Sequence, residues 1–287
     1  MAVLFKQMTV CGVGLIGGSL ALIAKRDGLV ERVVGLGRTQ HNLDVALQRG
    51  IVDRATRDPA EAARGADLVV LAVPVRTMPE TLAAMAPHLP PEAVITDVGS
   101  VKGWVVDALE PLLGPRMALV AMHPVAGKET TGAAAADQEL FVGRRAILTP
   151  SARTTPAALE RVERLWRATG ARVERMSAGE HDEILARASH LPQIVASALA
   201  AALEGGRVGG RVAAGYGAGG LRDTTRIAAS SAEMWRDIVL TNREAIVAAL
   251  ELFRTSFDEF ARAIAEGDGA RFEALFERGR AMREGLK

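Results

Sequence analysis

Six residues near the start of this 287-residue chain, Gly12-Val13-Gly14-Leu15-Ile16-Gly17, restrict its fold more than any other stretch. They follow the apolar run Met8–Cys11 and precede a helical pattern over Ser19–Arg26. A G-x-G-x-x-G spacing in strand–turn–helix context has a specific physical reading. The first glycine permits the tight turn, the second lets main chain approach a pyrophosphate, and the third lets helix and strand pack closely. Amides at the helix start then face the phosphates. Gly12, Gly14, Leu15, Ile16 and Gly17 are therefore the expected dinucleotide cradle. The competing reading is a structural bend in a sheet that binds nothing.

The pattern downstream extends the first reading. Further apolar runs occur at Arg32–Leu36, Leu68–Ala72, Val94–Thr96, Ala118–Ala121, Ala146–Leu148 and Arg172–Met176, with helical patterns such as Leu43–Arg49 and Pro156–Ala168 between them. Several runs are continuous rather than alternating, as expected of strands covered on both faces. This order predicts a doubly wound, Rossmann-type α/β domain over residues 1–176. After Met176 the β-branched runs stop. Ser177, with Glu180 three residues on, predicts a helix start. One helix is expected over about Ala178–Glu204, broken by Gly205-Gly206 and Gly209-Gly210. A second is expected over about Ala232–Ala265, with Trp235, Ile238, Ile246, Phe253, Phe257, Phe260 and Ile264 forming one buried stripe. Residues 177–287 thus read as an all-α domain.

Composition narrows the partners. Lys plus Arg number 35 against 34 Asp plus Glu, so no charge excess points to nucleic acid or an anionic membrane. A single cysteine, Cys11, precludes an intrachain disulfide and fits a reducing cytoplasm. No stretch reads as a signal peptide or a membrane span, and no close Cys/His cluster suggests a metal.

In such sheets ligands bind outside the carboxyl ends of the strands. The second strand ends in Gly37-Arg38-Thr39 and lacks the carboxylate that would hold an NAD ribose 2′-hydroxyl. Gly37 leaves room, and Arg38 with Thr39 can bind a 2′-phosphate, so NADP is expected over NAD. Arg38 can also be a plain surface charge. Val73 and Pro74 follow the third strand, Ser100 follows the fourth, and His123 follows the fifth. An imidazole at that edge, with an ordinary pKa near ~6.5, suits proton abstraction near neutral pH.

The segments Gly-Val-Gly-Leu-Ile-Gly-Gly-Ser-Leu (12–20), Pro-Val (74–75), Thr-Asp-Val-Gly-Ser-Val-Lys (96–102), His-Pro-Val-Ala-Gly (123–127), Ser-His-Leu-Pro (189–192), Arg-Asp-Thr-Thr-Arg-Ile-Ala (222–228) and Met-Trp-Arg-Asp-Ile (234–238) are spread in order along most of the chain. Together they resemble the prephenate/arogenate (cyclohexadienyl) dehydrogenase family. The resemblance implies oxidative decarboxylation of a cyclohexadienyl substrate with hydride transfer to NAD(P)+, in tyrosine biosynthesis. It implies that His123 is the catalytic base and that Ser100 bonds near it and the substrate hydroxyl. It implies Arg226 as the substrate-binding arginine, with His190 and Glu129 lining the substrate site. It also implies a homodimer formed by intertwined helical domains, with the substrate site between domains. Two departures are Gln193, where some members carry His, and Lys128, where small hydroxyl residues are common. Lys128 can reach a substrate carboxylate or be solvated. His41, His88 and His181 match no motif and are expected at the surface; Trp235 is expected in the core.

Two other readings stay open at this point. A β-hydroxyacid or pyrroline-5-carboxylate reductase type shares a glycine turn and a helical domain, but the former would carry a lysine within Ala178–Glu204, which has none. A non-catalytic NADPH-sensing module would not need His123, Ser100 and Arg226.

Overall fold

The computed structural model describes residues 2–128 and 130–286. It divides into two compact units, residues 1–185 with 229–242, and residues 186–228 with 243–287.

In chain order the first unit contains β1 (Phe5–Cys11), α1 (Leu15–Arg26), β2 (Val30–Leu36), α2 (Gln40–Gln48), β3 (Arg54–Thr56), α3 (Pro59–Ala63), β4 (Leu68–Leu71), α4 (Met78–Met85) and β5 (Val94–Asp97). It continues with α5 (Gly103–Leu109), β6 (Ala118–Val125), β7 (Arg145–Thr149), α6 (Pro156–Ala168), β8 (Arg172–Arg175) and α7 (Ala178–Leu185). The eight strands form one sheet in the order β3-β2-β1-β4-β5-β6-β7-β8. Every neighbouring pair is parallel except β6 and β7. Alternate residues of each central strand enter opposite cores. Met8, Val10, Leu68, Val70 and Val120 meet α1 and α6 on one face, through residues such as Leu20, Ile23, Val162 and Trp166. Cys11, Val69, Leu71, Ile95 and Leu119 meet α3, α4 and α5 on the other. This two-sided burial is why the strands read as continuous apolar runs. The short edge strand β3 carries no such run and was not expected.

The helix bounds follow local chemistry. Thr155 caps α6 by accepting from the Ala158 amide, and Pro156 occupies the first turn, where its missing N–H costs nothing. Ser177 Oγ accepts from the Glu180 amide at 3.1 Å, as its spacing predicts.

The expected helix over Ala232–Ala265 is two helices, α10 (Ala232–Thr241) and α11 (Arg243–Glu266). Asn242 interrupts them at φ −120°, ψ 36°. Its side chain is buried and donates to the Asp182 carbonyl at 2.9 Å. A side-chain bond of this kind competes with continued helix. The α10 segment belongs to the first unit.

The second unit opens with a π-helical turn at Ala186–His190, followed by α8 (Leu191–Ala202), and it also contains α9 (Gly219–Thr225), α11 and α12 (Gly269–Gly285). It is not wholly helical. Gly209 and Gly210, both at positive φ, turn the two-residue strands β9 (Arg207–Val208) and β10 (Arg211–Val212) into a hairpin, the geometry such a pair favours. The aromatic stripe departs from expectation. Ile246 is buried, but Phe257 is 61% and Ile264 66% exposed in the single chain. Among the described residues no helix is long and apolar enough to cross a membrane.

Candidate active site

The strand order reverses direction at β1 and β4, and the turns leaving those two strands carry the first candidate residues. Gly12 sits at φ +91°, and a Cβ there would lie 2.4 Å from the Ala72 carbonyl oxygen. The turn is thus glycine for both conformational and steric reasons. At Gly17 a Cβ would lie 2.7 Å from Val10 Cγ1, which is the close helix–strand packing expected. Gly14 differs, because nothing lies within 4 Å of where its Cβ would be. Packing therefore does not account for this glycine, and the open space leaves room for a ligand to approach the main chain. It begins α1, which has no side-chain cap and no acidic residue in its first turn. A helix end of this kind offers amides and a positive dipole to phosphate, so these residues fit a dinucleotide. Val73 is half-buried and Pro74 exposed, just past β4.

The ribose end is less open than the sequence suggests. A Cβ on Gly37 would lie 2.8 Å from Leu43 Cδ2, so the space at this glycine is taken by a side chain of α2. Arg38 and Thr39 are exposed.

The chemistry concentrates on β5 and β6. His123 lies inside β6, opposite Ile147 of β7, and not in a loop after a strand ending at Ala121. The antiparallel pairing with β7 prolongs the strand. Ser100 is half-buried in the turn after β5. That turn is fastened internally. Lys102 is fully buried, with its ammonium on the Asp97 carboxylate and donating to the Met122 carbonyl at 2.8 Å. The other Asp97 oxygen accepts from the Met122 amide at 3.1 Å, and the Gly99 amide donates to the same carboxylate at 2.7 Å. Burial pushes the Lys102 ammonium below the usual lysine range, with Asp97 opposing the shift. The Asp97–Lys102 pair thus ties the Ser100 turn to the main chain just before His123.

His181 is not at the surface. It is fully buried on α7, while His41 and His88 are exposed as expected. His181 Nε2 lies 2.9 Å from His123 Nδ1, and its Nδ1 lies 2.7 Å from Asp182 Oδ1. The signal was available: Ala178, His181, Asp182 and Leu185 share one helical face, so an apolar-side His–Asp pair marks buried polar chemistry.

The other candidates separate. Lys128 pairs with Asp137 at 2.5 Å on the surface, and this contact holds the Asp137 carboxyl below its usual range. Glu129 lies outside the described residues. In the second unit His190 is buried and Arg226 exposed. Gln193, one turn beyond His190, donates to the Ile227 carbonyl at 2.7 Å. It thereby fastens the segment that carries Arg226. Trp235 is half-buried on α10 rather than in the core.

A glycine turn at the switch point of the sheet, with a buried imidazole on β6, is the arrangement a nicotinamide-dependent dehydrogenase requires. Residues 20–175 match the nucleotide-binding domain of prephenate dehydrogenase, and residues 177–278 match its dimerization domain. A cyclohexadienyl dehydrogenase of Zymomonas mobilis is 38% identical over 99% of this chain and 97% of its own. The prephenate dehydrogenase of A. aeolicus, solved with hydroxyphenyl propionate and NAD+, superposes with a TM-score of 0.93 at 34% identity, covering 99% of each chain. The Synechocystis arogenate dehydrogenase gives 0.84 at 29% identity, covering 98% of this chain and all of the other. The chain belongs to the prephenate dehydrogenase family, which removes the hydroxyacid and pyrroline reductase readings.

Proposed function

We propose that this enzyme oxidises and decarboxylates a cyclohexadienol of the prephenate or arogenate type in tyrosine biosynthesis. The observation that carries this reading is the buried His123, whose strand is tied at Met122 to the turn that bears Ser100, in a chain whose relatives are named for these compounds. Bound nicotinamide supplies the hydride acceptor. His123 takes the proton of the C4 hydroxyl as that carbon is oxidised, and Ser100 holds the hydroxyl oxygen. Loss of the ring carboxylate as CO₂ then aromatises the ring. Arg226 offers a guanidinium suited to a carboxylate, and His190 lines the same substrate; both roles rest on their motifs. Lys128, already paired with Asp137, is a weaker candidate for a substrate carboxylate. Glu129 is proposed to act near the substrate side chain on its motif position alone. The reaction should release one CO₂ per nicotinamide reduced. Reduced nicotinamide without CO₂ would refute it.

NADP is the cofactor we favour, on Arg38 and Thr39 and the missing acidic residue after β2. The NAD+ in the A. aeolicus complex weighs the other way. Replacing Arg38 with Asp is expected to weaken NADP+ binding about tenfold or more, on the scale of a lost charge-assisted contact, and to leave NAD+ binding nearly intact. Equal loss for both in a fluorescence titration would remove Arg38 from the site. A cytoplasmic setting fits the buried Cys11 thiol, which burial pushes up to about 12.

The protein is proposed to be a homodimer through its helical unit, as the family's dimerization domain suggests. The exposed Phe257 and Ile264 of α11 are the surface a second copy would cover. Sedimentation should give a dimer that Phe257→Asp dissociates; a compact wild-type monomer would contradict this.

A further inference from the structure

We propose that His181 and Asp182 are positioning residues that fix the tautomer of His123 and orient its ring. The inference rests on the reading of His123 as the base, and it follows from which atoms can donate. Asp182 Oδ1 accepts from the Lys102 amide at 2.8 Å, and Oδ2 accepts from the Gly103 amide at 2.8 Å. Main-chain N–H groups can only donate, and Asn242 holds the Asp182 carbonyl as well. The two amide contacts favour the ionised carboxylate, which can only accept. Its Oδ1 also faces His181 Nδ1 at 2.7 Å, so opposite an ionised carboxylate that nitrogen carries the proton. A neutral His181 then presents a lone pair at Nε2, 2.9 Å from His123 Nδ1. His123 must donate there, which leaves its own Nε2 as the basic nitrogen. The two rings meet nearly edge-on, at 69° with centroids 5.1 Å apart, so the contact also fixes the ring plane. When His123 Nε2 takes a proton, the imidazolium keeps its Nδ1–H on His181. The buried Asp182 carboxylate behind it stabilises the charge. The Lys102 ammonium nearby is engaged by Asp97 and the Met122 carbonyl.

Each element of this chain has one structural duty and one directional consequence. Asp182 caps the start of α5 through its two amide contacts, and that same duty favours its ionised, accepting form. A merely structural His181 would leave the tautomer of His123 undetermined. A charged His181 would reverse it, because His181 Nε2 would then donate and His123 would bear its proton on Nε2.

The deciding experiment is ¹⁵N NMR of the full-length protein labelled at histidine, in the presence of its dinucleotide. With five histidines in the chain, single replacements of His41, His88 and His190, together with His123→Asn, assign all five. Neutral His123 is expected to show a protonated Nδ1 and a pyridine-like Nε2, and the reverse pattern would overturn the proposal. His181→Phe keeps an aromatic ring but removes the acceptor. It is expected to lower kcat about 100-fold, within the range of general-base effects, with KM and dinucleotide Kd changed less than about threefold. Wild-type kcat in a folded His181→Phe protein would also overturn it. The tautomer is readable in the wild-type chain even if that variant fails to fold. It is also independent of turnover, so an inactive protein with the expected tautomer would count against the proposed function alone.

Discussion

A His123→Asn enzyme is expected to bind its dinucleotide with a Kd within about twofold of wild type and to turn over about a thousandfold more slowly. The separation follows from the layout of the first unit. The proposed cradle is the Gly12–Gly17 turn with the uncapped start of α1, whereas His123 lies on β6, two strands beyond β4 in the sheet. Asparagine is a smaller polar residue and cannot serve as a base near neutral pH. The loss should therefore appear in kcat and not in cofactor affinity. Fluorescence titration and steady-state rates on one preparation check it. A non-catalytic sensor would bind as before and have no turnover to lose. A merely structural histidine would instead show a lower melting temperature with kcat preserved.

The largest expected change in stability belongs to Lys102→Met. The replacement is of similar length and apolar, but it leaves the Asp97 carboxylate fully buried without its ammonium. Removing one partner of a buried ion pair costs about 3–5 kcal/mol, because a charge remains uncompensated. For a protein of this size that should lower the melting temperature by about 10 °C. Adding Asp97→Asn removes the charge while retaining an acceptor for the Met122 or Gly99 amide, so the double variant should recover part of the loss. Additive destabilisation in calorimetry would contradict the ion-pair account. The single variant should also lower kcat, since the same pair holds the Ser100 turn against the chain before His123.

The parts of the fold that were legible in the sequence are those with strong local signatures. The continuous apolar runs gave the central strands because both faces of the sheet are covered. The bounds of α6 follow from Thr155 and Pro156, whose preferences are local. The break at Asn242 was not legible, because its cause is a bond to Asp182, sixty positions away. The extension of β6 through His123 depends on β7, a partner no local pattern reveals. In the site, Gly12 and Gly17 act for the reasons their spacing suggests, but Gly37 is glycine because Leu43 fills the space beside it. His181 was missed because its role requires two other elements, β6 and the start of α5, to converge on α7. Adjacent polar residues on a helix more often face solvent, and the face they share with Ala178 and Leu185 is the one local sign that these two turn inward.

The central claim is tested most directly by assaying the purified full-length protein with prephenate or arogenate, each paired with NAD+ or NADP+, and following reduced nicotinamide. Turnover is predicted with at least one pair, faster with NADP+ than with NAD+ for the same substrate, and slowed about a thousandfold by His123→Asn. Absence of turnover with all four pairs, in protein that binds dinucleotide, would contradict the assignment.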